Sequence, residues 1–299
     1  MNKPSGKGTS FKVIFAYLAL TPTFALLFVF SLYPAIKAFI NSFYYMNFNN
    51  MRNTRFVGLD NYQTLLGDAT FWKSFYNLGL FIAFGFISTF FVLMPVTYLV
   101  FRLGEGRWGK WIQRLYIIPM VIPFTVLILF WKFFYEYNFG ILNNALKSLG
   151  LDAYMHVWLG EQATALPAIL FVGFPWITGF GFLILLAGFQ NNDPALHEAA
   201  KIDGASGGQI FLKIDIPLVL PQIKILIVLG MIAGIQQFGT QLIMTNGGPN
   251  GATIVPGLLM YQTAFTNGNI GYGSTIGVFL FAITLVITFI NNKFIRSRE

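Results

Sequence analysis

The chain has 299 residues, of which 56% are hydrophobic and only 10% charged, with a formal net charge of +8 and no cysteine; its mean hydropathy is +0.64. Soluble domains carry about 25% charged residues, so this composition excludes a water-facing globular surface, and the missing cysteine excludes disulfides and thiolate metal sites. The positive excess does not mark a nucleic-acid face, because the Lys and Arg flank apolar runs instead of gathering on one side of an element.

A polar start carrying Lys3, Lys7 and Lys12 precedes 24 uncharged residues, Val13–Ile36. That run is too long for the apolar region of a signal peptide and has no A-x-A site, so 1–12 reads as a tail and 13–36 as a first, uncleaved span. Segment 37–77 is rich in Tyr, Phe and Asn and is expected along the outer interface. Spans follow at about 78–101, 113–133 and 164–188. From Ile225 to Asn292 the chain is neutral for 68 residues. A span needs roughly 20 apolar residues, so this interval holds two, at about 222–243 and 271–292. Asn246–Gly251 marks the connection between them, since such residues break helices. Residues 293–299 form a second tail.

Six spans put both termini on one side. Of the 19 Lys and Arg, 13 fall in the tails and in the 102–114 and 189–224 loops, against 6 in the alternating segments. Positive-inside bias therefore places both termini in the cytoplasm, and Trp108, Trp111, Trp131 and Trp158 lie near span ends, as rings at a lipid boundary do. Apart from Arg114, Lys132 and Lys224 near their edges, the spans carry no Asp, Glu, Lys, Arg or His, so they lack the groups that ion-coupled carriers use. Gly230/Gly234 and Gly273/Gly277 have the small-xxx-small spacing of close helix contacts. Gln236, Gln237 and Gln241 are amides in an apolar run that need a partner or a wet cavity.

Residues 104–110, Gly-Glu-Gly-Arg-Trp-Gly-Lys, satisfy G-x-G-x-x-G and come within one residue of a P-loop. Both motifs need a strand before them and a helix after. Here the segment is a turn between spans, and Trp111 stands where Ser or Thr would bind magnesium. A nucleotide site in this chain is not expected.

Loop 193–221 carries more. Asp193 is placed to cap a helix with Pro194 in its first turn. Glu198 to Asp203 continue it with small alanines on one side, and Gly204 ends it. A second piece, Gln209 to Ile214, precedes Pro217 and Pro221. A short, mildly acidic helix of small residues suits close approach by a protein; a lipid-surface helix shows bulky apolar and Lys/Arg-rich faces.

The string Glu-Ala-Ala-x-x-Asp-Gly-Ala, then Gln209, Phe211, Ile214, Pro217, Leu218 and Pro221, resembles the EAA loop of permease subunits of bacterial binding-protein-dependent ABC importers. Phe56-Val57-Gly58-Leu59-Asp60-Asn61-Tyr62 with Leu65, Leu66, Asp68, Phe71 and Trp72 resembles the carbohydrate subgroup, the maltose and glycerol-phosphate permease type. So does Thr245-Asn246-Gly247-Gly248-Pro249 with Thr253, Tyr261, Ala264 and Phe265. The chain departs at Asp215, where Thr is usual, and at Asp193, where Pro is common.

The resemblance implies an all-α membrane protein of the type I ABC importer permease kind, with six transmembrane helices in the bacterial plasma membrane and a cytoplasmic EAA coupling loop. It implies a non-enzymatic subunit working with a second permease subunit, two ATPase subunits that bind ATP and magnesium, and an extracellular solute-binding protein delivering a sugar or oligosaccharide. Glu198, Ala199, Ala200, Asp203, Gly204 and Pro217 would then couple to the ATPase, and Pro175, Pro217 and Pro221 would mark kinks or helix ends. By position relative to the matched loops, Gly173, Trp176, Phe180, Ala233, Gly234 and Gln237 would line the substrate path, where aromatic rings stack on sugar faces. The alternative is a stand-alone passive facilitator or channel for a neutral solute, which leaves the EAA loop without a purpose.

Overall fold

The computed structural model of the chain describes residues 7–104, 106–175 and 179–294. Its helices, in chain order, are α1 (7–41), α2 (Asp60–Gly67), α3 (Ala69–Leu103), α4 (Arg107–Val121), α5 (Phe124–Phe134), α6 (Ile141–Ser148), α7 (Gln162–Leu170), α8 (Gly179–Gln190), α9 (Pro194–Ile202), α10 (Gly207–Leu218), α11 (Leu220–Gln236), α12 (Gly239–Met244), α13 (256–266) and α14 (Ile270–Phe294). A two-residue antiparallel pair, β1 (Tyr44–Tyr45) with β2 (Arg55–Phe56), departs from the all-helical expectation. The chain forms two compact units. One joins the residues up to Gly67 with Met260–Phe279, and the other joins Asp68–Leu259 with the residues from Leu280 onward.

Among the described residues three stretches are long and apolar enough to cross a membrane as single helices: Phe15–Asn41, Ala69–Leu103 and Ile270–Ile290. Two further pairs qualify only when taken together, α4 with α5 at 100° and α10 with α11 at 63°, and α8 is apolar but short. The continuous rod expected at 113–133 is therefore broken. Pro123 caps α5 in an extended conformation (ψ 132) just after a tight turn carrying Pro119. A proline lacks the amide a helix needs and drives its predecessor out of the helical region. The rod expected at 164–188 also breaks: α7 ends at Leu170, and Gly173 takes φ +84 in the turn that follows. Within 222–243, α11 stops at Gln236, Gln237 is extended (φ −81, ψ 119) and α12 restarts at Gly239.

Three of the helices widen just before a proline. The amide of Tyr33 bonds to Phe28 O, that of Met94 to Thr89 O and that of Ile216 to Phe211 O, each spanning five residues instead of four. Pro34, Pro95 and Pro217 come next. The ring of a helical proline clashes with the carbonyl four residues back. A π-turn at that point enlarges the coil locally, so the helix accommodates the proline without ending.

In the first unit, Asn61 Nδ2 donates to Ser42 O (2.9 Å) and Tyr44 O (3.0 Å), and Ser42 Oγ lies 2.7 Å from Tyr62 Oη. These contacts fold the 42–62 segment back on itself through the Phe56–Tyr62 string. The glycine contacts expected in α14 are present: a Cβ at Gly273 would lie 2.7 Å from Ala264 Cβ, and one at Gly277 would lie 3.1 Å from Met260 Sδ. Gly230 has no such neighbour within 4 Å, whereas Gly234 approaches Ile82 Cγ1 at 3.1 Å. Only the second glycine of that pair makes a helix contact.

In the second unit, the stretch expected as a connection around Asn246–Gly251 is packed. Thr253, Val255 and Leu258 are buried. Lys73 Nζ donates to Asn250 O (2.7 Å) and Asn77 Nδ2 to Ile254 O (2.8 Å). Asn246 and Asn250 hold φ 52 and 49, the left-handed region that Asn tolerates best among side-chain-bearing residues.

The segment between α5 and α7 is pinned by Asn143. Its Nδ2 donates to Tyr137 O (3.1 Å) and His156 O (3.0 Å), and its Oδ1 accepts from Trp158 Nε1 (2.7 Å). Beside it, Glu161 accepts from the Val157 amide and from His156 Nδ1, both at 2.9 Å. The Val157 amide, helped by His156, holds the Glu161 carboxyl below the usual carboxylate range. Substituting Asn143→Leu strands two carbonyls and an indole N–H, and is expected to lower stability by about 3 kcal/mol; thermal unfolding in detergent measures it.

Candidate functional site

Every break described in α4–α5, α7–α8 and α11–α12 opens on the same space. A cavity of about 580 Å³ is lined by Ile82, Gly85 and Thr89 of α3, Phe124 and Leu127 of α5, Val172, Gly173 and Phe180 about the α7–α8 break, and Gly230, Ala233, Gly234 and Gln237 at the end of α11; Thr240 and Gln241 of α12 and Val255 complete it. Gln237 leaves the helical conformation at this point because α11 ends there, which puts its amide at the break and not on a helix face. Gln241 is buried, and its Oε1 accepts no hydrogen bond from the described residues. None of the lining residues is charged. The arrangement offers amide and hydroxyl groups, which both donate and accept, among aromatic and aliphatic walls. That chemistry suits a neutral polyhydroxylated solute.

Five of the six residues expected on the substrate path, Gly173, Phe180, Ala233, Gly234 and Gln237, line this cavity together. Trp176 lies outside the described residues. Gln241 joins them as its amide chemistry suggested, while Gln236 is exposed and is not in the lining. Thr89, Phe124 and Thr240 carried no signal in the sequence strong enough to select them. Pro123 could have drawn attention to Phe124, since a helix restarting at a proline exposes its first turn to whatever the break opens on.

The loop expected to dock a partner folds as two helices across one turn. Asp193 Oδ1 accepts from the Ala195 amide (2.9 Å) and caps α9. At the other end the Gly204 amide donates to Lys201 O (3.1 Å) and the Ala205 amide to Ala200 O (2.9 Å), with Gly204 at φ +75. This is the paired closure that a left-handed glycine permits at a helix C-terminus. Ser206 then caps α10 and exchanges bonds reciprocally with Gln209. Glu198, Ala199, Asp203, Gly204 and Pro217 are exposed, but Ala200 is 8% exposed and turned inward. The two alanines do not share a face, as adjacent helical residues sit 100° apart. The outward surface is Ala199 together with Leu196 and with Ile202, which is 86% exposed.

Behind α9 several helices converge. His197 Nε2 donates to Asp215 Oδ1 at 2.6 Å, and Asn192 Nδ2 approaches the same oxygen at 3.4 Å. Tyr98 of α3 directs its hydroxyl at the same carboxylate, and Arg102 Nη1 lies 3.2 Å from that hydroxyl. Asp215 is fully buried. Phe101, Phe189, Phe211, Val219 and Ile223 belong to one apolar cluster with residues of α3, α8 and α11.

The family described as "Binding-protein-dependent transport system inner membrane component" matches residues 102–298. The probable ABC transporter permease protein YurN of Bacillus subtilis is 29% identical over 286 residues, covering 95% of this chain and 97% of that protein. The trehalose/maltose transport system permease protein MalF of Thermococcus litoralis is 31% identical over 284 residues, covering 95% of this chain and 94% of that protein. A chain in the crystal structure of a bacterial alginate ABC transporter, in complex with its alginate pentasaccharide-bound periplasmic protein, superposes with a TM-score of 0.81 at 21% identity and covers 95% of both chains. Substituting Gly204→Ala puts a Cβ on a φ of +75, which is expected to cost about 1 kcal/mol and to speed exchange of the Ala205 amide about fivefold; hydrogen exchange read by mass spectrometry reports it.

Proposed function

The chain belongs to the binding-protein-dependent transport system inner membrane component family, and from that premise we propose that it is the permease subunit of an ATP-driven importer that moves a neutral sugar or oligosaccharide through the cavity at the broken helices. The observation that carries the substrate class is the uncharged lining, with Thr89, Gln237, Thr240 and Gln241 as its polar side chains. Relatives at similar identity are named for sugars, trehalose and maltose among them.

In this reading the chain crosses the membrane six times with both termini in the cytoplasm, and the broken stretches act as bent spans. It works beside a second permease subunit. Two ATPase subunits bind ATP and magnesium and hold α9 in a cleft, with Ala199, Leu196 and Ile202 in contact and Glu198 and Asp203 at the rim. An extracellular binding protein delivers the sugar. Closure of the ATPase pair moves α9, and the bundle exchanges one open face for the other, a two-state response of packed helices. A passive facilitator has no use for a capped, outward-facing helix of this kind.

The test is reconstitution. Co-expressed with its companion subunits, the tagged chain is expected to bring down a second permease and an ATPase. In liposomes the complex should take up neutral oligosaccharides from a panel that includes uronates, and only when ATP is supplied on the ATPase side. Gln237→Leu removes one neutral hydrogen bond of about 1 kcal/mol and should weaken uptake at low sugar about fivefold. Uptake that persists without the ATPase would establish the facilitator instead.

A further inference from the structure

The helix that meets the ATPase in the proposed importer is joined to the rest of its loop by a turn that is poor at carrying force. Between α9 and α10 lie Asp203, Gly204, Ala205 and Ser206, closed by two backbone hydrogen bonds around a left-handed glycine. A push on α9 would be absorbed by bending there unless a second connection bypassed the turn. The bypass is the contact between His197, in the middle of α9, and Asp215, near the end of α10, at 2.6 Å.

Three further observations place that contact on the transmission route. Asp215 O accepts from the Val219 amide (3.1 Å), and Val219 is the residue at which α10 gives way to α11 through a 63° bend. Asn192, which follows α8, approaches the Asp215 carboxylate at 3.4 Å, and Tyr98 of α3 interacts with it, so one buried side chain is approached from α3, from α9 and from the residues after α8. Finally, Asp215 Oδ2 is buried without a hydrogen-bond partner among the described residues. A buried polar contact of this kind is often no more stabilising than apolar packing of the same volume. What it adds is direction.

Resting on the importer reading above, we propose that His197 and Asp215 are positioning residues of the transport cycle: their contact locks α9 to α10, so that displacement of α9 by the ATPase turns α11 about Val219 and reaches the cavity at Gln237. Neither residue touches sugar or nucleotide. Both act through the helices they join.

The experiment uses the complete complex in liposomes with its binding protein and measures sugar carried per ATP hydrolysed. His197→Leu keeps bulk and removes the donor; it is expected to lower that ratio about tenfold, within the range reported for residues along a coupling route. His197→Gln restores a donor at the same reach and should stay within about twofold of wild type. Should the leucine variant fail to assemble, His197→Leu with Asp215→Asn leaves no buried charge unpaired and takes the same measurement, again with a low ratio expected. A leucine variant with the wild-type ratio, or a glutamine variant as defective as the leucine one, overturns the proposal. Wild-type complex that takes up no sugar with ATP overturns the importer reading instead, and the parallel wild-type sample reports that separately.

Discussion

A helix surrounded by lipid cannot stop without leaving backbone N–H and C=O groups unpaired, at a cost of several kcal/mol each. The structure handles this constraint in two ways. Where Pro34 and Pro95 would interrupt a helix, a π-turn widens the coil and the rod continues; at Pro217 the same turn carries the helix only to Leu218, where it bends into α11. Where α4, α7 and α11 do end, the freed backbone borders one shared cavity, so polar atoms that lipid would penalise become the polar part of a site. Interrupted helices around a central cavity are a recurring way for transport proteins to build a substrate site. Here the breaks and the cavity are the same feature.

The sequence disclosed the fold class and the two-helix form of loop 193–221 better than it disclosed the breaks. The helices of loop 193–221 could be read because some residues do local work: Asp193 caps, Pro194 opens and Gly204 closes; the second cap, Ser206, appears only in the structure. Such roles are set by neighbours within four residues. Charge-free windows, by contrast, average over a bend, so 113–133 looked like one rod although Pro119 and Pro123 both lie in it. The stop at Gln237 has no proline or glycine at the break itself, and only packing produces it. The stretch around Asn246–Gly251 looked like a surface connection because turn residues dominate it, yet Lys73 and Asn77, more than 170 residues earlier, accept it into the unit. Side-chain anchors from that far away leave no local trace.

Facing was the other limit. Ala199 and Ala200 read as one small surface, but a 100° step divides them, one outward and one into the core. Asp215 illustrates the same point more sharply. In sequence it was a departure from the usual Thr in a loop counted as cytoplasmic; in three dimensions it is fully buried and paired with His197, so the departure is a substituted contact and not surface variation.

A neutral cargo, as proposed above, would also set how the importer relates to membrane voltage. Each elementary charge carried across a membrane gains or loses about 2.3 kcal/mol per 100 mV, and a neutral solute in a neutral cavity carries none. The gradient such a machine can build is then fixed by the phosphorylation potential of the cell alone. On that reading, a cell whose proton-motive force has collapsed would keep feeding through it for as long as its ATP lasts.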